Sequence, residues 1–160
     1  MCGALVLSPT PHLFAGIWNP WETPFVSYQS EIKIHFDDAD PAGICFFGQV
    51  FAKTHQVYEE FVGHLGQNPQ HFFSGKEFIV PIRHTEANYL APLVALETYS
   101  VDIGVSKISD SSFTLEYKIA KADKLCAAIA TTHVFLEAKS HKKCLIPTDF
   151  KTGLEKFKIL

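Results

Sequence analysis

The sequence predicts an α+β domain in which a five-stranded antiparallel sheet wraps around one long helix. Three observations carry this. Only one stretch has a sustained helical period: Phe47, Val50, Phe51, Val57, Tyr58, Phe61 and Leu65 recur at spacings of three, four and seven. Five stretches alternate or run apolar as strands do, and the last four follow one another through turns with no helix between them. A single long helix cannot cover both faces of such a sheet, but the sheet can close around it on one face.

Taken in order, residues 1–26 are broken by Pro9, Pro11, Pro20 and Pro24, hold Trp18 and Trp21, and keep no period. They read as an irregular arm, and residues 27–160 as the domain. Residues 27–36 alternate, with Ile32, Ile34 and Phe36 facing one way and Glu31, Lys33 and His35 the other. An acidic loop follows, then the long helix, whose other face carries Gln49, Lys53, Gln56, Glu59 and Glu60. Gly63 and Gly66 weaken its end, and Asn68-Pro69 stops it. Glu77 to Leu90 reads as a strand. Pro81 cannot donate to a ladder, which puts this strand at an edge or gives it a bulge. Tyr99, Val101, Ile103 and Val105 alternate with polar residues, and Phe113, Leu115, Tyr117 and Ile119 do so after the turn at Ser109-Asp110-Ser111. Ala122-Asp123-Lys124 turns into a nearly apolar strand from Cys126 to Ala138, buried on both sides. Pro147 to Phe157 suits a short closing helix.

Composition excludes several classes. A formal charge of −3 without a Lys/Arg cluster gives no reason to expect nucleic acid. Cys2, Cys45, Cys126 and Cys144 form no CxxC pair and have no histidine at finger spacing, so no metal is expected. No apolar run is long enough to span a membrane, and no Lys or Arg precedes Lys33, as a secretory signal would require. The expectation is a cytoplasmic protein with reduced thiols.

The loop Asp37-Asp38-Ala39-Asp40-Pro41-Ala42-Gly43 is the chemically loaded stretch. It places carboxylates just before a helix start, where backbone N–H groups and the helix dipole can hold a developing negative charge. A carboxylate there can act as base or nucleophile. An aspartate in such a loop can equally do no more than cap the helix.

The segment FDDADPAGICFFGQVF, followed by a helix carrying Glu59, resembles the signature of the hotdog-fold thioesterases of the 4-hydroxybenzoyl-CoA type, roughly F-x-D-x-D-x-x-G-[IV]-[VC]-[FYW]-[FYH]. Asp38, Asp40, Gly43, Ile44 and Phe46 stand at the matching offsets, and the likeness runs from about Tyr28 to about Phe150. Phe46-Phe47-Gly48-Gln49, Thr54 to Glu59, Pro81-Ile82-Arg83-His84, Tyr89-Leu90-Ala91-Pro92 and Thr132-His133 look like the subgroup that hydrolyses dihydroxynaphthoyl-CoA. The resemblance implies an acyl-CoA thioesterase acting on an aromatic acyl group such as 1,4-dihydroxy-2-naphthoyl or 4-hydroxybenzoyl. It needs no cofactor, coenzyme A being part of the substrate.

By the same resemblance Asp40 stands beside the thioester carbon, as general base or nucleophile, while Asp37 and Asp38 are turn or capping residues. The N–H groups near Phe46, Phe47 and Gly48 form the oxyanion hole, and Gly43 permits close backbone approach. Phe46 and Phe51 would wall the acyl group beside Phe47. His55, eight residues and ~12 Å of helix beyond Phe47, would meet an acyl hydroxyl; a satisfied core histidine is the bland alternative for it, and for His84 and His133 on strands. Hotdog subunits pair edge to edge with sites at the seam, which implies a homodimer at minimum and a homotetramer by preference. Two departures stand out. The basic run that meets coenzyme A phosphates is replaced by Ser109-Asp110-Ser111, leaving Lys107, Lys121, Lys76 or Arg83 for that task, and Phe47 stands where the hydroxybenzoyl-CoA enzyme has tyrosine. An aliphatic acyl-CoA or acyl-carrier-protein thioesterase, and an acyl-binding protein without turnover, are the alternatives. A hydratase would need a histidine motif where Asp40-Pro41 stands.

Overall fold

Strand register turns the alternating residues into one apolar wall. The computed structural model describes residues 26–159; the expectations for the arm, with Trp18 and Trp21, lie outside the described residues. The elements are β1 (Tyr28–Lys33), a 3-10 turn (Phe36–Asp38), α1 (Phe47–His64), α2 (Pro69–Phe72), β2 (Phe78–Ile79), β3 (Ile82–Tyr89), β4 (Thr98–Ile108), β5 (Ser112–Lys121), β6 (Lys124–Val134), β7 (Leu136–Glu137) and α3 (Thr148–Glu155). Five strands form one antiparallel sheet in the order β1-β4-β5-β6-β3. Across it, Ile103, Tyr117 and Ile129 stand side by side, as do Val101, Ile119 and Ala127, and all six are buried. Val50, Val57, Tyr58, Phe61 and Val62 of α1 are buried in the same core, each such side chain stabilising by about 1.5–3 kcal/mol. This is the hotdog arrangement that the resemblance implies. No helix of the described residues is long and apolar enough to cross a membrane.

Several local expectations need correction. The strand drawn from Glu77 to Leu90 is two strands. Pro81 separates β2, which pairs with β7, from β3, which lies at the sheet edge with a register shift between Ile82 and His84. The strand drawn to Ala138 ends at Val134, because the Phe135 N–H turns to the Ser111 carbonyl at 2.8 Å. Phe36 does not face inward; the chain leaves β1 at Lys33 for the 3-10 turn, and Phe36 is 81% exposed. Lys53 is not on a solvent face: it is 7% exposed, because that side of α1 meets the acidic loop instead of water. Ala122 and Asp123, with φ of 46° and 62°, form the tight hairpin between β5 and β6.

Candidate active site

The acidic loop folds as a small closed hairpin. Gly43 has φ +76°, a conformation open to glycine at little cost. That turn lets the Gly43 N–H reach the Asp40 carbonyl (2.9 Å) and the Asp40 N–H reach the Ile44 carbonyl (2.9 Å). Lower down, Ala39 and Cys45 bridge, and the Phe46 N–H donates to the Asp38 carbonyl at 2.8 Å. The hairpin lies on the segment before β4, through Cys45 N–H to Leu93 carbonyl (2.7 Å) and Ala95 N–H to Gly43 carbonyl (3.0 Å).

Asp40 rides at the head of this hairpin, half-buried. Its Oδ1 accepts the Ala42 N–H at 2.8 Å. It does not cap α1: the N-cap is Phe46, and no side chain among the described residues caps the helix. The capping reading of Asp40 therefore falls, and Asp40 lines a cavity of about 480 Å³. Phe46, Phe47 and Val50 from α1 and its cap form one wall, and Tyr89, Leu90, Pro92 and Leu93 another. The Phe46 N–H is spent on Asp38, so it leaves the set of oxyanion donors. Among the described residues none accepts from the N–H groups of Phe47 and Gly48, the first two of the helix. A Cβ added at Gly48 would come within 3.0 Å of the Phe46 ring, so glycine keeps that ring against the helix start.

Three charges act on the Cys45 thiol. Burial pushes it up, with Asp38 adding to the rise, Lys53 opposing it and Asp40 adding a little more. Asp38 itself is held below the usual carboxylate range: burial opposes this, but the Lys53 ammonium at 2.7 Å and the His35 N–H at 2.7 Å outweigh it. Asp38 thus does cap a turn, the 3-10 turn that begins the loop.

The structure gathers Asp40, Gly43, Phe46, Phe47 and Gly48 at one end of α1. Phe51 and His55 lie further along the seam between α1 and β3, lining a second space of about 20 Å³ with Thr54, Ile82, Thr85, Tyr117, Thr131 and His133. His55 is no core histidine; its side chain is 43% exposed and 3.8 Å from Glu59. His133 is one: fully buried, stacked on Phe113, its Nε2 2.9 Å from Thr131 Oγ1. Burial, helped by the charge of His55, lowers its pKa to about 3. His84 joins neither group. It pairs across the ladder with Thr132 and approaches Glu86 at 3.7 Å, on the face away from α1, because its neighbour Thr85 takes the inward position.

Tyr89 is the site residue that sequence reasoning missed. Its hydroxyl donates to the Phe47 carbonyl at 2.8 Å, tying the end of β3 to the first residue of α1. Forty-two positions separate the two, and only the motif Tyr89-Leu90-Ala91-Pro92, part of the subgroup resemblance, could have signalled it.

Comparison with known proteins identifies the family. A family model described as the Thioesterase-like superfamily matches residues 34–154. The 1,4-dihydroxy-2-naphthoyl-CoA hydrolase of Thermosynechococcus vestitus is 32% identical over 138 residues, covering 86% of this chain and 92% of that protein. The enzyme of the same name from Microcystis aeruginosa is 29% identical, covering 78% and 90%. A crystal structure of a 1,4-dihydroxy-2-naphthoyl-CoA thioesterase from Synechocystis superposes with a TM-score of 0.74 at 24% identity, over 81% of this chain and 96% of that one. On the family match and the identity to a full-length relative, the chain belongs to the Thioesterase-like superfamily.

Proposed function

We propose that the chain hydrolyses an aromatic acyl-CoA to free acid and coenzyme A, with 1,4-dihydroxy-2-naphthoyl-CoA and 4-hydroxybenzoyl-CoA the foremost candidates. One observation carries the reading: Asp40 and Phe47, the first residue of α1, line one apolar-walled cavity, and among the described residues the N–H groups of Phe47 and Gly48 have no acceptor. The thioester carbonyl would point at the N–H groups of Phe47 and Gly48, where charge on the tetrahedral oxygen is stabilised; one such donor is worth about 3 kcal/mol. Asp40 would act on the carbonyl carbon, as base toward water or as nucleophile through an acyl anhydride. Phe46 and Phe47, exposed at the cavity, suit a planar acyl group.

His55 and Phe51 continue the seam away from the helix start, where an acyl hydroxyl could meet the imidazole. Lys121 lines a groove that shares Ala91 and Pro92 with the Asp40 cavity, which favours it among the candidate phosphate contacts. The working form is a homodimer at minimum and a homotetramer by preference, in the cytoplasm, with no cofactor.

Thiol release from a panel of aromatic, short and long acyl-CoAs tests this. Hydroxylated aromatic substrates should have the highest kcat/KM, and His55→Phe should narrow their lead, since a site built for a hydroxyl rejects analogues that lack it. A preference for aliphatic chains would overturn the aromatic reading. An unchanged ratio in His55→Phe would remove only His55 from it.

A further inference from the structure

Asp38 and Lys53 form a buried pair that thioester chemistry does not use directly. Both side chains are at least nine-tenths buried, and Lys53 Nζ is 2.7 Å from Asp38 Oδ2. Removing two charges from water costs several kcal/mol per ion, so such a pair contributes little net stability. Its placement is more informative. Asp38 holds the stem of the Asp40 hairpin, its carboxylate taking the His35 N–H and its carbonyl the Phe46 N–H. Lys53 reaches it from the second turn of α1, so the pair bolts the hairpin to the helix whose first residue, Phe47, lines the same cavity as Asp40. The charges of Asp38, Lys53 and Asp40 all act on the Cys45 thiol, and Asp38 stands two residues from Asp40 in the same hairpin.

We propose that the Asp38–Lys53 pair is a positioning and charge-compensating device for Asp40: Lys53 fixes the hairpin against α1 and cancels the Asp38 charge that stands two residues from Asp40 in the same hairpin. The inference rests on Asp40 carrying the reaction. Among the described residues, the other titratable groups facing the hairpin are His35 and Asp37 at the 3-10 turn, Cys45 within the hairpin, and Tyr89 from β3. None of these matches Lys53 as a buried cation.

The test is the pH profile of kcat/KM on an aromatic acyl-CoA, with full-length protein and thermal unfolding in parallel. A like charge close by raises a carboxylate's pKa and an opposite one lowers it. Lys53→Met should therefore move the acid limb up by at least about 0.5 pH unit, and Asp38→Asn should move it down. The charge-free double variant Asp38→Asn/Lys53→Met should return the limb to within about 0.2 unit of wild type. Lys53→Arg should keep it there. If Lys53→Met does not fold, Asp38→Asn and the double variant still decide. Acid limbs that stay fixed while only thermal stability changes would overturn the proposal, as would two single variants moving in the same direction. Asp40→Asn separates the two layers: if it keeps wild-type turnover, the functional reading fails and takes this inference with it. If it is inactive while the limbs stay fixed, this inference alone fails.

Discussion

Asp40 has one oxygen on the Ala42 N–H and lines the cavity, and the proposed function makes it the base or nucleophile. Asp40→Asn keeps that loop contact and should fold with wild-type stability while losing at least ~10²-fold in kcat, the usual worth of a positioned base; thiol release and a thermal melt check both halves. His133 gives a different kind of prediction. Its folded pKa of about 3 lies below the ordinary 6.5, so the unfolded chain binds the extra proton. Stability is then fully present above about pH 6.5 and drains away as pH falls toward about 3, a loss on the order of a few kcal/mol. Asp38, held low by Lys53, adds its own loss only at more acid pH, as its carboxylate protonates. Urea midpoints at pH 7 and pH 5 should therefore differ in the wild type and converge in His133→Gln. Equal pH dependence in both would show that another group carries the effect.

At the level of elements, the site is a joint between the start of α1, the end of β3 and the loop between them in sequence. Tyr89 is the pin, through its hydroxyl on the Phe47 carbonyl. A neutral hydrogen bond at a half-exposed position is worth about 1 kcal/mol, so Tyr89→Phe should barely shift the melting temperature. It should reduce kcat/KM by about fivefold, because the first turn of α1 loses a contact that fixes the direction of its free N–H groups. Steady-state kinetics beside a melt would show this; a stability loss without a kinetic one would return Tyr89 to packing. The long helix, the succession of elements along the chain and the Asp40 loop were legible in the sequence, because periodicity and Gly43 are local signals. The break at Pro81 was half legible: proline announced an edge or a bulge, but not that β2 would leave for β7. Lys53 was illegible, since the helical period shows only which residues face the sheet, not which face a loop.

For the whole molecule, the decisive feature is that β3 ends the sheet. Seven of its eight residues are exposed, and Ile82, Tyr89 and the following Leu90 are apolar. An edge of that length with apolar ends favours pairing with a second copy. The cavity at Asp40 opens beside this edge through Tyr89 and Leu90, so pairing would narrow it. Light scattering at micromolar concentration should give a dimer or larger, and specific activity should fall on dilution in step with dissociation. A monomer with full activity would remove the shared-site picture and leave the chemistry at Asp40 untouched.

The sequence by itself determined the α+β class, the wrapped helix and the acidic loop at its start, because each is written in residues a few positions apart. It also placed Asp40, Gly43, Phe46, Phe47 and Gly48 together, all within nine positions of chain. Only the tertiary structure decided which groups around them are available. It spent the Phe46 N–H on Asp38, buried Lys53, turned His84 outward, set His133 in the core and brought Tyr89 to Phe47. Those outcomes depend on strand register and on which face of α1 meets the loop. Both are fixed by packing between segments far apart in the chain, and a one-residue change of register would reverse the faces of β3.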